Sequence, residues 1–133
     1  MKTSDDINVK LDSWYEFLRQ IPQTIHQLNL RWWTDEKGRD IRANPYCFSN
    51  KLALIHSEIS ECLEGDRKNL YDTHLPQFPM RDVELADALI RILDLAEAYN
   101  IDIAQVMIEK LKYNRHREDH TTAHRATENG KKY

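Results

Sequence analysis

Glycine and proline are scarce in this chain, at three and four residues of 133. Tight turns draw on both, so a many-stranded sheet is not the expected architecture. Cysteine is scarcer still: Cys47 and Cys62 are the whole complement, with neither a disulfide framework nor a zinc-ligand spacing. No apolar run approaches the length that crosses a bilayer, and the opening MKTSDDINVK has no apolar leader core. The expected setting is therefore the cytoplasm, with no membrane partner. An excess of positive charge is missing too. A net charge of −3 leaves no electrostatic footprint for binding a nucleic-acid polymer.

What remains is a helix-forming composition. Hydrophobic residues make up 41% and charged residues 31%, the profile of a globular chain long enough for one domain with its own core. Leu, Ala, Glu, Lys, Arg and Ile dominate, which points to an all-α, four-helix-bundle-like domain over residues 1–117. A polar tail follows over 118–133.

Ser4-Asp5-Asp6 marks the start of a first helix running from about Ile7 to Asn29. Leu11, Trp14/Tyr15, Leu18, Ile21, Ile25 and Leu28 give its apolar spacing, which places Trp14 and Tyr15 in the core phase. Pro22 is expected to end or kink it near Gln20 or Ile21. Arg31 to Pro45 reads as a loop. A second helix follows from Tyr46 or Ser49 to Gly65, with Gly65 as its C-cap. Phe48, Leu52, Ile55, Ile59 and Cys62/Leu63 form its apolar face. Asp66 to Pro79, with two prolines, reads as a long surface loop. The third helix, Arg81 to Tyr99, is apolar around almost its whole circumference, the pattern of a buried helix. Asn100 and Ile101 break the chain, and Asp102 caps a fourth helix that ends near Arg117.

Two acidic-x-x-acidic pairs carry the chemistry. Glu58 and Glu61 lie on the second helix, with Glu64 three residues on, and Glu84 and Asp87 lie on the third. If the two helices run antiparallel, the pairs meet. Four carboxylates converging in an apolar bundle cannot all stay ionised uncompensated. Oxygen-only ligands, with no Cys or His among them, favour Mg²⁺, with Mn²⁺ as the alternative. Mg²⁺ is commonly shared with substrate phosphates, which points to phosphate chemistry. The plain alternative is a solvated acidic face, or ion pairs with Arg91 or Lys51.

Lys110, Asn114 and Arg117 follow late in the fourth helix as K-x-x-x-N-x-x-R, one face carrying a point cation, an amide and a planar fork. Such a set suits a polyphosphate. It equally suits cations placed against a helix C-terminus.

The order E-x-x-E, E-x-x-D, K-x-x-x-N-x-x-R over residues 50–117 resembles the MazG-like, all-α nucleoside triphosphate pyrophosphohydrolases, whose relatives include dimeric dUTPases and dCTP pyrophosphatases. ELADALIRILDLAEAYNIDIAQVMIEKLKYNRHR is similar to that family in apolar positions as well as in motif. The resemblance implies Mg²⁺-dependent cleavage of a (deoxy)nucleoside triphosphate between its α- and β-phosphates, giving monophosphate and pyrophosphate. It implies Glu58, Glu61, Glu84 and Asp87 as metal ligands, and Lys110, Asn114 and Arg117 as phosphate contacts. Glu61 is the favoured proton acceptor. A dNTP is the expected substrate, with dGTP or another purine among the candidates, and a homodimer or homotetramer is the expected assembly. The departures from the family lie before Asn50 and in the 66–80 loop, so base preference is open.

Other residues invite a role. Trp32 and Trp33, beside Arg31, suit either a base-stacking platform or a core or subunit interface. Lys51 shares a face with Glu58 and suits a phosphate contact or a counter-charge. His116, His120 and His124 have a spacing able to hold Zn²⁺ or Ni²⁺, which in a polar tail is expected to be chance. A carboxylate-bridged di-iron bundle wants Glu-x-x-His, and no Glu here has His three residues later. The rival from another class is a non-catalytic helical interaction protein with a salt-bridged acidic core.

Overall fold

Thr3 opens the first helix with a capping box. Its hydroxyl accepts from the Asp6 backbone N–H at 3.2 Å, and the Asp6 carboxylate accepts from the Thr3 N–H at 3.1 Å. The computed structural model describes residues 3–117 together with 123 and 126. The regular structure among them is α1 (Ser4–Ser13), α2 (Tyr15–Asn29), α3 (Cys47–Lys68), α4 (Met80–Ala98) and α5 (Ile103–His116). Two short 3₁₀ turns, Leu30–Trp33 and Ile41–Ala43, and two isolated β-bridges complete it. The fold is all-α, as the composition predicts. Of the histidine triplet, His120 and His124 lie outside the described residues.

The first expected helix is broken, but not at Pro22. The interruption falls at Trp14, which ends α1 with its N–H bonded to Leu11 O and is 41% exposed rather than in the core. α2 runs on through Pro22, whose ring is buried. Proline there forfeits one backbone bond to the preceding turn, and the burial of its ring offsets part of that loss.

Two compact units divide the chain. One holds the described residues of 1–19 and 102–133, the other residues 20–101. In the first, Lys112 Nζ donates to Asp12 at 2.6 Å, and Arg115 Nη1 donates to Asn8 Oδ1 at 3.1 Å, so α5 is tied to α1 by charge-assisted bonds. Asp102 caps α5 by accepting from the Gln105 N–H at 3.2 Å, and its other oxygen accepts from the Tyr15 hydroxyl at 2.6 Å. Leu11, Ala104 and Ile108 are the buried apolar residues of this unit.

In the second unit α3 and α4 pack antiparallel. At one end Trp33, Cys47, Leu95 and Ala98 form the core, with Ile41, Ile55 and Tyr99 against it. Edge-to-face rings, Trp33–Tyr99 at 6.2 Å and Phe48–Tyr99 at 5.0 Å, close that end. At the other end buried Gly65 brings the two backbones together: a Cβ there would lie 3.0 Å from both the Met80 side chain and the Arg81 N. Gly65 is therefore a packing residue, not the cap. α3 continues to Lys68, and Asn69 takes the left-handed conformation, φ 52°. Leu70 N–H bonds to Gly65 O at 3.0 Å and Asn69 N–H to Asp66 O at 3.3 Å, the Schellman arrangement.

The expected faces shift accordingly. The side of α3 turned inward carries Cys47, Lys51, Ile55, Glu58, Cys62 and Gly65, at steps of three and four. Phe48, Leu52, Ile59 and Leu63, read from the sequence as the core face, are exposed. α4 is not buried all round either: α3 covers one side, while Leu85, Leu89 and Ile92 stay exposed, Leu89 at 55%.

Candidate metal-binding cleft

The antiparallel pairing of α3 and α4 brings the two acidic pairs together, because Glu58 lies on the inner line of α3. Glu58, Glu84 and Asp87 each offer a carboxylate oxygen, and these oxygens lie within 4.8 Å of one another. Glu58 is 7% exposed and Glu84 9%, which is rare for glutamates unless something compensates them. Arg91 is the compensation in place. Its Nε donates to Glu58 Oε1 at 2.5 Å.

One arginine against three carboxylates leaves the cluster short of positive charge. Burial works against ionisation of Glu58, but hydrogen bonds from Arg91 and from Glu84 outweigh it and hold the Glu58 carboxyl below its usual range. Glu84 takes the opposite course. Burial, its hydrogen bond to Glu58 and the negative charges of Glu61, Glu58 and Asp87 push its carboxyl up to about 7. Asp87 is raised in the same direction, by burial first and then by Glu58. Protonation of Glu84 would relieve the charge that Arg91 leaves uncompensated.

Glu61 stands at the edge. It is exposed, bonds to the Glu58 side chain and adds negative charge to Glu84, but it is not one of the converging three. Glu64, which the three-residue spacing placed on the same strip, pairs with Lys68 instead.

A cleft of about 470 Å³ opens beside the cluster, lined by Asn29, Trp32, Lys51, Leu54, Glu58, Asp87, Ile90, Arg91 and Asp94. The tryptophan pair separates here. Trp32 is 59% exposed and lines the cleft, with the Arg31 guanidinium 4.8 Å from its ring. Trp33 is 3% exposed and belongs to the core. Lys51 bridges the two settings: it lines the cleft while its Nζ sits 4.4 Å from the Trp33 ring centroid.

Asp94 is a functional-looking residue that motif reading passed over. It is buried, and its carboxylate accepts from Trp33 Nε1 at 3.1 Å, from His26 Nδ1 at 2.7 Å and from Asn29 Nδ2 at 3.3 Å. It fixes the floor of the cleft by tying α4 to the end of α2. The signal was available, since Glu84, Asp87, Arg91 and Asp94 fall on one polar line of an apolar helix.

Lys110, Asn114 and Arg117 belong to the other unit. Lys110 Nζ and Arg117 Cζ lie 4.7 and 5.8 Å from the Tyr113 ring centroid. Asn114 Oδ1 is buried without a hydrogen-bond partner among the described residues, a cost of about 1–3 kcal/mol that a bound donor would recover. Comparison of the chain with protein-family models, with curated proteins and with solved structures gave no match.

Proposed function

We propose that this chain is a divalent-metal-dependent hydrolase that cleaves a (deoxy)nucleoside triphosphate between the α- and β-phosphates, the reaction implied by its resemblance to the MazG-like pyrophosphohydrolases. The supporting observation is the convergence of Glu58, Glu84 and Asp87 within 4.8 Å, beside a cleft that also presents Lys51, Arg91 and Trp32. The donor set fits Mg²⁺ or Mn²⁺: it offers oxygens alone, and it carries more negative charge than Arg91 offsets. Glu58, Glu84 and Asp87 would hold the ion, with Glu61 one turn along α3 from Glu58. An ion held there would supply Lewis-acid stabilisation of phosphoryl charge and activation of water. Glu61 accepts the proton of the attacking water, Lys51 pairs with phosphate oxygens, and the exposed Trp32 ring offers a stacking face for the base. Water adds to the α-phosphorus, the α–β bridging bond breaks, and pyrophosphate leaves. Lys110, Asn114 and Arg117, which the resemblance also implies as phosphate contacts, lie in the other compact unit and enter this reading on the resemblance alone. Association into a homodimer or homotetramer belongs to the same reading.

The test is a chromatographic assay of purified protein with Mg²⁺ and a panel of NTPs and dNTPs. Monophosphate plus pyrophosphate, lost with chelator, is expected. Glu61→Gln and Asp87→Asn should each lower turnover by about two orders of magnitude or more while the helical spectrum is kept. Wild-type activity in both variants would sink the site. The Arg91–Glu58 ion pair favours one other reading, a non-catalytic helical partner protein. That protein would show no turnover of any nucleotide and no gain in thermal stability from Mg²⁺.

A further inference from the structure

Arg91 lies one turn beyond Asp87 on α4, and its pair with Glu58 is lopsided. The Glu58 side chain is 10% exposed and fixed in the packing, whereas the Arg91 side chain is 42% exposed. One partner is buried and the other reaches solvent. Arg91 also lines the cleft beside Lys51, and its planar fork matches a phosphate as well as it matches a carboxylate. Resting on the reading that Glu58 is a metal ligand, we propose that Arg91 is the resident counter-cation of the carboxylate cluster, which gives up Glu58 when a divalent cation binds and then serves the phosphates of the substrate.

Without metal, the Arg91 Nε sits 2.5 Å from Oε1 of buried Glu58, and a polyanion approaching the cleft meets carboxylates with their guanidinium already engaged. With a divalent ion on the carboxylates, Arg91 is a like charge beside it and no longer needed there. Its most favourable new partner within reach is an anion in the cleft. Metal and polyphosphate binding are then linked through one side chain, and by reciprocity each strengthens the other. Arg91 is thus a phosphate ligand gated by the metal, distinct from a residue that merely orients Glu58.

The experiment is calorimetric titration of Mg²⁺ into chelator-stripped full-length protein, wild type against Arg91→Gln. Inorganic pyrophosphate is then titrated with and without saturating Mg²⁺. Arg91→Gln should bind Mg²⁺ more tightly than wild type, on the order of tenfold. It should bind pyrophosphate more weakly by a similar factor at saturating Mg²⁺, and equally without Mg²⁺. Where Arg91→Gln fails to fold, the wild type carries the test: the Arg91 Nε–H resonance, assigned by its loss in Arg91→Lys, should exchange faster with solvent as Mg²⁺ saturates. Weaker Mg²⁺ binding by Arg91→Gln, or an Nε–H that stays protected with Mg²⁺ bound, overturns the gating while leaving the metal site standing. No Mg²⁺ binding by the wild type overturns the gating and the proposed function together.

Discussion

Glu84 is where the uncompensated charge of the cleft collects, and that makes it measurable without substrate. Its carboxyl is pushed from 4.5 up to about 7, by burial first and then by its neighbours. Between those values the folded chain holds a proton that the unfolded chain has released. The group's contribution to stability is therefore whole below 4.5 and is lost as pH rises through about 7. Asp87 shifts in the same direction and adds to the effect, whereas lowered Glu58 acts with the opposite sign, on the acid side. In chelator, Tm should fall by a few degrees from about pH 5 to about pH 8. Glu84→Gln should flatten that slope. Saturating Mg²⁺ should flatten or reverse it, because an ion favours the ionised carboxylates. A flat profile in the metal-free wild type would mean that Glu84 is already compensated. The spacing of Glu58, Glu61, Glu84 and Asp87 was legible in the sequence, but their ranking was not. Glu61 and Glu58 differ by one turn, and the packing of α4 alone decides which of them is buried.

At the scale of the element, Gly65 shows how a strong local signal misleads. Glycine after an apolar run is the commonest helix terminator, so the sequence reads Gly65 as a cap. Asn69 was the weaker signal for the same job, and it holds the left-handed position at φ 52°. What requires glycine at 65 is the approach of α4, a contact twelve or more residues away that no local pattern encodes. Gly65→Ala sets two effects against each other. Alanine gains about 0.5–1 kcal/mol in helix propensity. Its Cβ would meet the Met80 side chain and the Arg81 backbone N at 3.0 Å, and overpacking typically costs about 1–3 kcal/mol. Met80 can move, but a backbone nitrogen in the first turn of a helix gives little. The clash should win, lowering stability by about 1–2 kcal/mol in urea denaturation. A stabilised Gly65→Ala would show that the start of α4 yields. The break at Trp14 has the same lesson in reverse: Pro22 was the obvious breaker, but it was tolerated inside α2, where its ring is buried.

For the molecule as a whole, the sequence spelled out an all-α chain and the structure agrees. It also spelled out more burial on α4 than its packing against α3 provides. α4 reads as apolar on every side, yet α3 covers one side only, and Leu85, Leu89 and Ile92 remain exposed. α3 carries a second stripe, Leu52, Ile59 and Leu63, exposed in the same way. Leu85, Leu89 and Ile92 keep the three-and-four spacing of one helix face, and Leu52, Ile59 and Leu63 follow at seven and four; exposed apolar stripes of this kind are surfaces that a partner would cover. A second copy of this chain is the occupant that the proposed function implies, as a dimer or a tetramer. Leu89→Glu should then push the light-scattering mass toward that of a single chain. Burying a leucine side chain contributes about 1.5–3 kcal/mol, so association should weaken by roughly tenfold to a hundredfold per interface copy. The exposed position means that the folded single chain has little to lose, and its helical spectrum should be unchanged. Should the wild type itself be a single chain at every concentration tested, the stripes would need a different partner, and the helical interaction protein would become the better reading of α3 and α4.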